Sequence, residues 1–158
     1  MADLKPPRVA GGELETLLAL LQYQRESLAR KLTGVGDEAA RARFVDSDTS
    51  LLWLAKHMTR AETVWFLIRF AGLDVPLPDD TVLPDDSLED AVATYRAMWP
   101  RVERIVANAR LDDLCARPEP ALAPVNLRWV LMHLLEETAR HAGHADIIRE
   151  LIDGDTGR

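Results

Sequence analysis

The sequence predicts an all-α protein, a four-helix bundle with long connectors. Three observations support this fold class. Four stretches repeat apolar residues with the 3.6-residue period of a helix, and no stretch shows the alternation typical of a strand. Two proline-rich connectors, 73–86 and 110–125, leave room for a crossover between helices. With 158 residues and 47% hydrophobic side chains, the chain suits one domain over 1–158.

The first half of the chain predicts an N-terminal arm followed by a long helix. Residues 1–10 contain two adjacent prolines and are expected to form a flexible arm. A helix is predicted over about 13–32, with Gly34 as its stop signal. The connector 34–48 has room for a short helical turn at 37–42.

The second helix is predicted from about 50 to 71. Asp48, Thr49 and Ser50 are three candidates for its N-cap, because their side chains accept hydrogen bonds from helical N–H groups. Gly72 ends it.

The second half predicts two more helices. Ser87 caps the third helix, and Pro100 predicts either a kink in it or a division into two short helices. Asn126 caps the fourth, which is predicted to run to about Ile152.

Charge and composition exclude several classes of partner. A net charge of −7 argues against a nucleic-acid surface. No apolar run reaches the ~20 residues of a membrane span, and the N-terminus lacks the apolar core of a signal peptide. The single cysteine, Cys115, excludes an internal disulfide and suits a cytoplasmic protein. A homodimer is the expected assembly, because it is the commonest one.

The last helix carries a polar cluster within an apolar stripe. Glu137, His141 and His144 share one helical face with leucine, isoleucine and valine side chains. An unpartnered buried polar group costs about 1–3 kcal/mol, so a bound metal ion would explain the pattern. Glu137 and His141 are four residues apart and can reach one ion, and His57 near the middle of the second helix is the candidate third ligand.

Alternatives remain open for this helix. His144 competes with Glu137 as a ligand, or contacts a ligand or substrate instead. Glu136 and Arg140 have the spacing of a surface ion pair. His133, one turn before Glu137, is best interpreted as a histidine at the edge of the core.

The remaining charged and aromatic residues have ordinary interpretations. Arg60 and Glu62 are expected to be surface charges. The tryptophans are expected to fill the core, with one of them able to wall a pocket: Trp53, Trp65, Trp99 and Trp129.

Two segments together resemble the DinB-like superfamily. Residues 127–147, LRWVLMHLLEETARHAGHADI, resemble its last helix, and residues 49–58, TSLLWLAKHM, resemble its second helix in an actinobacterial branch. The order of the elements agrees over nearly the whole chain. The resemblance implies a helical bundle that holds a divalent metal, commonly zinc or nickel, through His57, Glu137 and His141.

The resemblance also implies a chemistry. Mycothiol-dependent maleylpyruvate isomerases are similar in having glutamate at the position of Glu137, but this chain is expected to differ from them in having no additional C-terminal domain. Other relatives are bacillithiol- or mycothiol-dependent S-transferases. The implied reaction is attack by the metal-bound thiolate of a low-molecular-weight thiol on a small electrophile.

Three hypotheses of function follow. The first is a cytoplasmic metal-dependent thiol transferase or isomerase, in which Glu136 and His144 orient ligands or substrate. The second is a metal-dependent hydrolase, in which bound water replaces the thiol. The third is a non-enzymatic bundle that serves stress-related binding or dimerisation.

Overall fold

The chain folds as an all-helical bundle in the computed structural model, which describes residues 4–156. Its elements follow in order: α1 (Glu13–Lys31), α2 (Asp37–Arg41), α3 (Leu51–Glu62) with a π-helical continuation (Thr63–Phe70), α4 (Leu88–Val106) and α5 (Leu127–Asp153). Within the described residues there is no strand, only an isolated bridge between Leu114 and Asn126. The predicted fold class is confirmed.

Side-chain caps fix where three of the helices begin. In each case the capping oxygen accepts a hydrogen bond from the backbone N–H three residues later. The caps are Ser50 to Trp53 (3.1 Å), Ser87 to Asp90 (3.3 Å) and Asn126 to Trp129 (3.0 Å). Ser50 is therefore the N-cap among the three candidates for the second helix.

Two features of the helices differ from the sequence prediction. The second helix was expected to be regular to residue 71, but after Glu62 it becomes π-helical over Thr63–Phe70. The alternative of two short helices around Pro100 is wrong, because α4 runs unbroken through it.

The predicted N-terminal arm lies partly outside the described residues, which begin at residue 4, and residues 4–10 contain no helix.

Packing between the helices brings α3 beside α5. The most extensive helix contact is between α1 and α5, while α3 packs against both α4 and α5. Leucines with no exposed surface fill these contacts, among them Leu21, Leu54 and Leu134. The second and last helices of the prediction therefore face each other in the structure.

Arg25 and Glu62 form an ion pair inside the bundle. The Arg25 Nε and Nη2 atoms each donate to a Glu62 carboxylate oxygen at 2.8 Å, and the two residues are 2% and 0% exposed. The expectation that Glu62 is a surface charge is wrong, since Arg25 on α1 gives it a buried partner. Burial raises the pKa of the Glu62 carboxyl, although the Arg25 charge acts against that shift.

Candidate metal centre

Helices α3 and α5 bring His57, Glu137 and His141 together. Glu137 and His141 lie one turn apart on α5, with Glu137 Oε2 3.2 Å from His141 Nε2. His57 completes the group from α3, and one potential ligand atom from each residue lies within 4.8 Å of the other two. The structure thus assembles the three residues that the sequence prediction grouped.

His57 is held from two sides. Its ring stacks on the Trp53 indole, with centroids 4.4 Å apart and planes 16° apart. Its Nδ1 lies 3.1 Å from Asp80 Oδ2, which leaves Nε2 as the nitrogen available to the cluster. The His57 and His141 rings meet edge to face at a centroid distance of 5.0 Å.

Asp80 belongs to the proline-rich loop 73–86, and sequence reasoning gave it no role. Charged side chains of α3 fasten this loop over the helix: Arg60 Nη1 donates to the Pro78 carbonyl at 2.7 Å, and Lys56 Nζ lies 2.6 Å from Asp86 Oδ2. Arg60 is thus half-buried against the loop, not a plain surface charge. The sequence signal that could have pointed to Asp80 as a partner of His57 is an aspartate-rich loop that directly follows a helix with a lone histidine.

His141 is the most buried member of the cluster, at 8% exposure. Burial, and next the positive charge that His57 can carry, lower the pKa of His141 to about 4. Glu137 acts in the opposite direction but does not reverse the shift. The imidazole is therefore neutral at pH 7, which is the form that binds a metal ion.

The donor set fits a divalent metal. Two imidazoles and one carboxylate are a known ligand set of zinc, with further positions open to water or substrate. The carboxylate of Asp80 on the far nitrogen of His57 is the partner that metal-bound histidines usually have.

The two residues predicted to orient ligands or substrate lie at the edge of this cluster. His144 is exposed, and its Nδ1 lies 3.4 Å from Nδ1 of His141. Glu136 is also exposed and pairs with Arg140, whose Nη1 in turn lies 3.6 Å from Glu137 Oε1. Glu136 thus reaches the cluster through Arg140.

The tryptophans divide among three environments. Trp99 is buried as expected, and Trp53 walls the cluster. Trp129 is 42% exposed, so the expectation that it fills the core is wrong. Its ring stacks on His133, which also meets the Trp65 ring edge to face.

A cavity of about 520 Å³ opens beside the cluster. Its walls include Trp53 and Asp80, the two residues that hold His57, together with Arg41, Arg43 and Ser50. A volume of this size suits a small organic ligand. None of the three cluster residues is among those that line it, so the cavity adjoins the cluster through Trp53 and Asp80.

Comparison with known proteins agrees with this fold. A crystal structure of a DinB-like protein from Bacillus cereus ATCC 10987 superimposes with a TM-score of 0.67 at 18% identity, covering 87% of this chain and 91% of that one. A conserved protein from Enterococcus faecalis gives 0.63 at 18% identity, with 92% and 100% covered. No curated protein matches the chain.

The helical bundle and the family model that the chain matches together define a DinB-like protein. Within that class, residues 16–154 match the family model of the mycothiol-S-transferases. The chain belongs to the mycothiol-S-transferase family. The family and the His57–Glu137–His141 cluster together suggest a divalent metal, and the family implies a thiol partner. Among the helices of residues 4–156, none combines the length and the hydrophobicity that a transmembrane span requires.

Proposed function

We propose that this protein is a divalent-metal-dependent S-transferase that uses a low-molecular-weight thiol, mycothiol or a close analogue, against a small electrophile. One observation carries the proposal: three metal-ligand side chains from two helices converge within 4.8 Å in a chain that matches the mycothiol-S-transferases. Zinc and nickel are the proposed ions, since both accept imidazole and carboxylate ligands.

His57, Glu137 and His141 are the proposed ligands. These residues would hold a divalent ion, which would lower the pKa of a bound thiol so that thiolate is present at neutral pH. Asp80 fixes the ring of His57, and Trp53 holds its plane. His144 is proposed to orient His141 or the substrate, and Glu136 to steady Glu137 through Arg140.

The cavity beside Trp53 is the proposed place for the electrophile. The thiol loses its proton to water, its thiolate sulfur forms a bond to the electrophilic carbon, and the leaving group departs with the electron pair of the bond that breaks. Arg41 and Arg43 in the cavity wall carry charges that suit a polar electrophile. Cytoplasmic location and a homodimer remain proposals, to be checked by cell fractionation and by light scattering.

Metal content is the first test. Untagged protein purified without chelator should carry about one metal equivalent by mass spectrometry, and His57→Ala should lose most of it. His133→Ala is the matched control, because His133 lies on α5 but outside the cluster and should leave the content unchanged. A parent protein that carries no metal and refuses added zinc and nickel would refute the proposal.

Thiol dependence separates the transferase from a hydrolase. The metal-loaded protein should consume mycothiol in the presence of an electrophile such as monochlorobimane, and the His57→Ala variant should not. Turnover of an ester without any thiol would instead identify a hydrolase. Bound metal with neither activity would favour a non-enzymatic bundle.

A further inference from the structure

A second cavity lies between the π-helical segment and the connector 110–125. It encloses about 230 Å³, and the indole rings of Trp65 and Trp129 stand in its wall. The two rings contact each other at a centroid distance of 5.0 Å. The cavity shares no lining residue with the larger one beside His57.

Backbone hydrogen bonds fix the walls of this cavity. Ala116 N–H donates to the Phe70 carbonyl at 3.1 Å, and Arg117 N–H donates to the Arg69 carbonyl at 2.9 Å. On the other side Cys115 N–H donates to the Val125 carbonyl at 2.9 Å. The connector is therefore tied to the end of the π-helical segment. Helices of this type are rare, and those that occur are frequently found at functional sites.

The size and lining of the cavity indicate the size and the apolar part of a ligand that could bind there. Its volume lies between the roughly 150 Å³ of an apolar cavity that admits benzene and the roughly 300 Å³ at which drug-sized pockets begin. Besides the indoles, Leu122, Val125 and Pro118 line it. Indole walls favour a flat ring through offset or edge-to-face contacts. A molecule of one or two aromatic rings meets these conditions.

The charges at the rim of the cavity indicate the charge of the polar group that such a ligand would carry. Arg69 and Arg117 both line the cavity, against the single carboxylate of Glu119. Arg69 Nη2 lies 3.2 Å from Glu119 Oε1, so these two charges balance. Arg117 is half exposed, and its 3.8 Å pair with the fully exposed Asp74 is weakened by water. The Arg117 guanidinium can therefore receive a carboxylate by a charge-assisted hydrogen bond.

We propose that this cavity binds a small aromatic carboxylate, with its rings beside Trp65 and Trp129 and its carboxylate at Arg117. The site is separate from the metal centre. Trp129 and Glu137 are eight residues apart on α5, which places them about 12 Å apart along the helix axis. The proposal does not depend on the transferase function.

A second copy of the chain is the rival occupant. Trp129, Met132 and Leu122 are 42%, 52% and 64% exposed and could pack against the same face of a neighbour. The charge at the rim favours an anionic ligand, because apolar self-association gains nothing from Arg117. The experiment below distinguishes the two.

The test uses 2-naphthoate as the probe and the four indole N–H signals of the full-length protein in a ¹⁵N-correlated NMR spectrum. Trp65 and Trp129 report on the proposed cavity, while Trp53 and Trp99 serve as internal controls elsewhere. Binding should shift the first two signals saturably and leave the other two in place. The neutral analogue 2-naphthamide should bind about tenfold more weakly, as expected for loss of a charge-assisted hydrogen bond.

Two variants locate the contacts. Arg117→Gln should weaken 2-naphthoate about tenfold without changing the affinity for 2-naphthamide. Arg96→Gln on α4 is the matched control and should change neither. Ala123→Trp should block both probes by filling the cavity, and because Ala123 is an exposed connector residue the bundle should stay folded.

Three results would overturn the proposal. Shifts at Trp53 in place of Trp65 and Trp129 would assign the probe to the cavity beside His57. Absence of a saturable shift at millimolar probe would show that the cavity takes no such ligand. A Trp129 signal whose position changes with protein concentration, together with a dimer mass that Trp129→Ala abolishes, would assign this face to a second copy.

Discussion

Replacing Asp80 with asparagine should weaken metal binding at the proposed centre. The variant keeps an oxygen near His57 Nδ1 but removes the negative charge that now lies 3.1 Å from it. Loss of such a partner usually costs about 10- to 100-fold in metal affinity. The Asp80 side chain is 26% exposed, so water screens part of its charge, and a loss of about tenfold is expected, at the low end of that range.

Competition with a chromophoric chelator would measure this loss for zinc. Asp79→Asn is the matched control, because the neighbouring carboxylate accepts the Thr81 N–H at 2.9 Å in the same loop and is not bonded to His57. Thermal unfolding of the metal-free variants should show that both remain folded. If Asp80→Asn and Asp79→Asn bind zinc with equal affinity, the argument that Asp80 orients His57 fails.

Three further predictions concern stability, pH and reactivity. Glu62→Gln should lower the free energy of unfolding in urea by about 3 kcal/mol, because Arg25 is left buried without its charged partner. The double variant Arg25→Met with Glu62→Leu should recover most of this loss. Equal stabilities of Glu62→Gln and the parent would contradict the argument. His141 stays neutral down to about pH 4 in the folded chain, whereas the unfolded chain binds that proton near pH 6.5. The free energy of unfolding of the metal-free protein should therefore fall by up to about 3 kcal/mol between pH 6.5 and pH 4. A His141→Gln variant with an equally steep pH profile would disprove this. Cys115 is 6% exposed, and burial raises the pKa of its thiol, so Ellman's reagent should label it slowly until urea unfolds the chain; fast labelling of the folded protein would show that the thiol is accessible.

The helices and the paired residues of the site could be predicted because their signals are local. A cap and its N–H partner lie three residues apart, as for Ser50 and Trp53. Glu137 and His141 lie one helical turn apart, so their proximity follows from helix formation alone. His57 required the further assumption that its helix faces the last one, and the packing of α3 on α5 agrees with it.

The remaining contacts could not be predicted because they join residues far apart in sequence. Asp80 is 23 positions from His57, and Glu62 is 37 positions from Arg25. The path of the loop 73–86 depends on bonds such as that of Arg60 to the Pro78 carbonyl, which no local pattern encodes. The π-helical segment likewise has no sequence signature of its own, since its apolar period resembles that of an ordinary helix.

The buried pair and the proposed metal centre are linked through α3. Glu62 follows His57 on this helix by little more than one turn, and its partner Arg25 lies on α1, the helix that packs along α5. An ion pair with two bonds of 2.8 Å fixes the rotation of α3 relative to α1 more strictly than leucine contacts do, because its geometry is directional. Since α5 carries Glu137 and His141, the same pair helps to set the distance from His57 to both. A structural feature that sequence reasoning assigned to the surface therefore contributes to holding the site together.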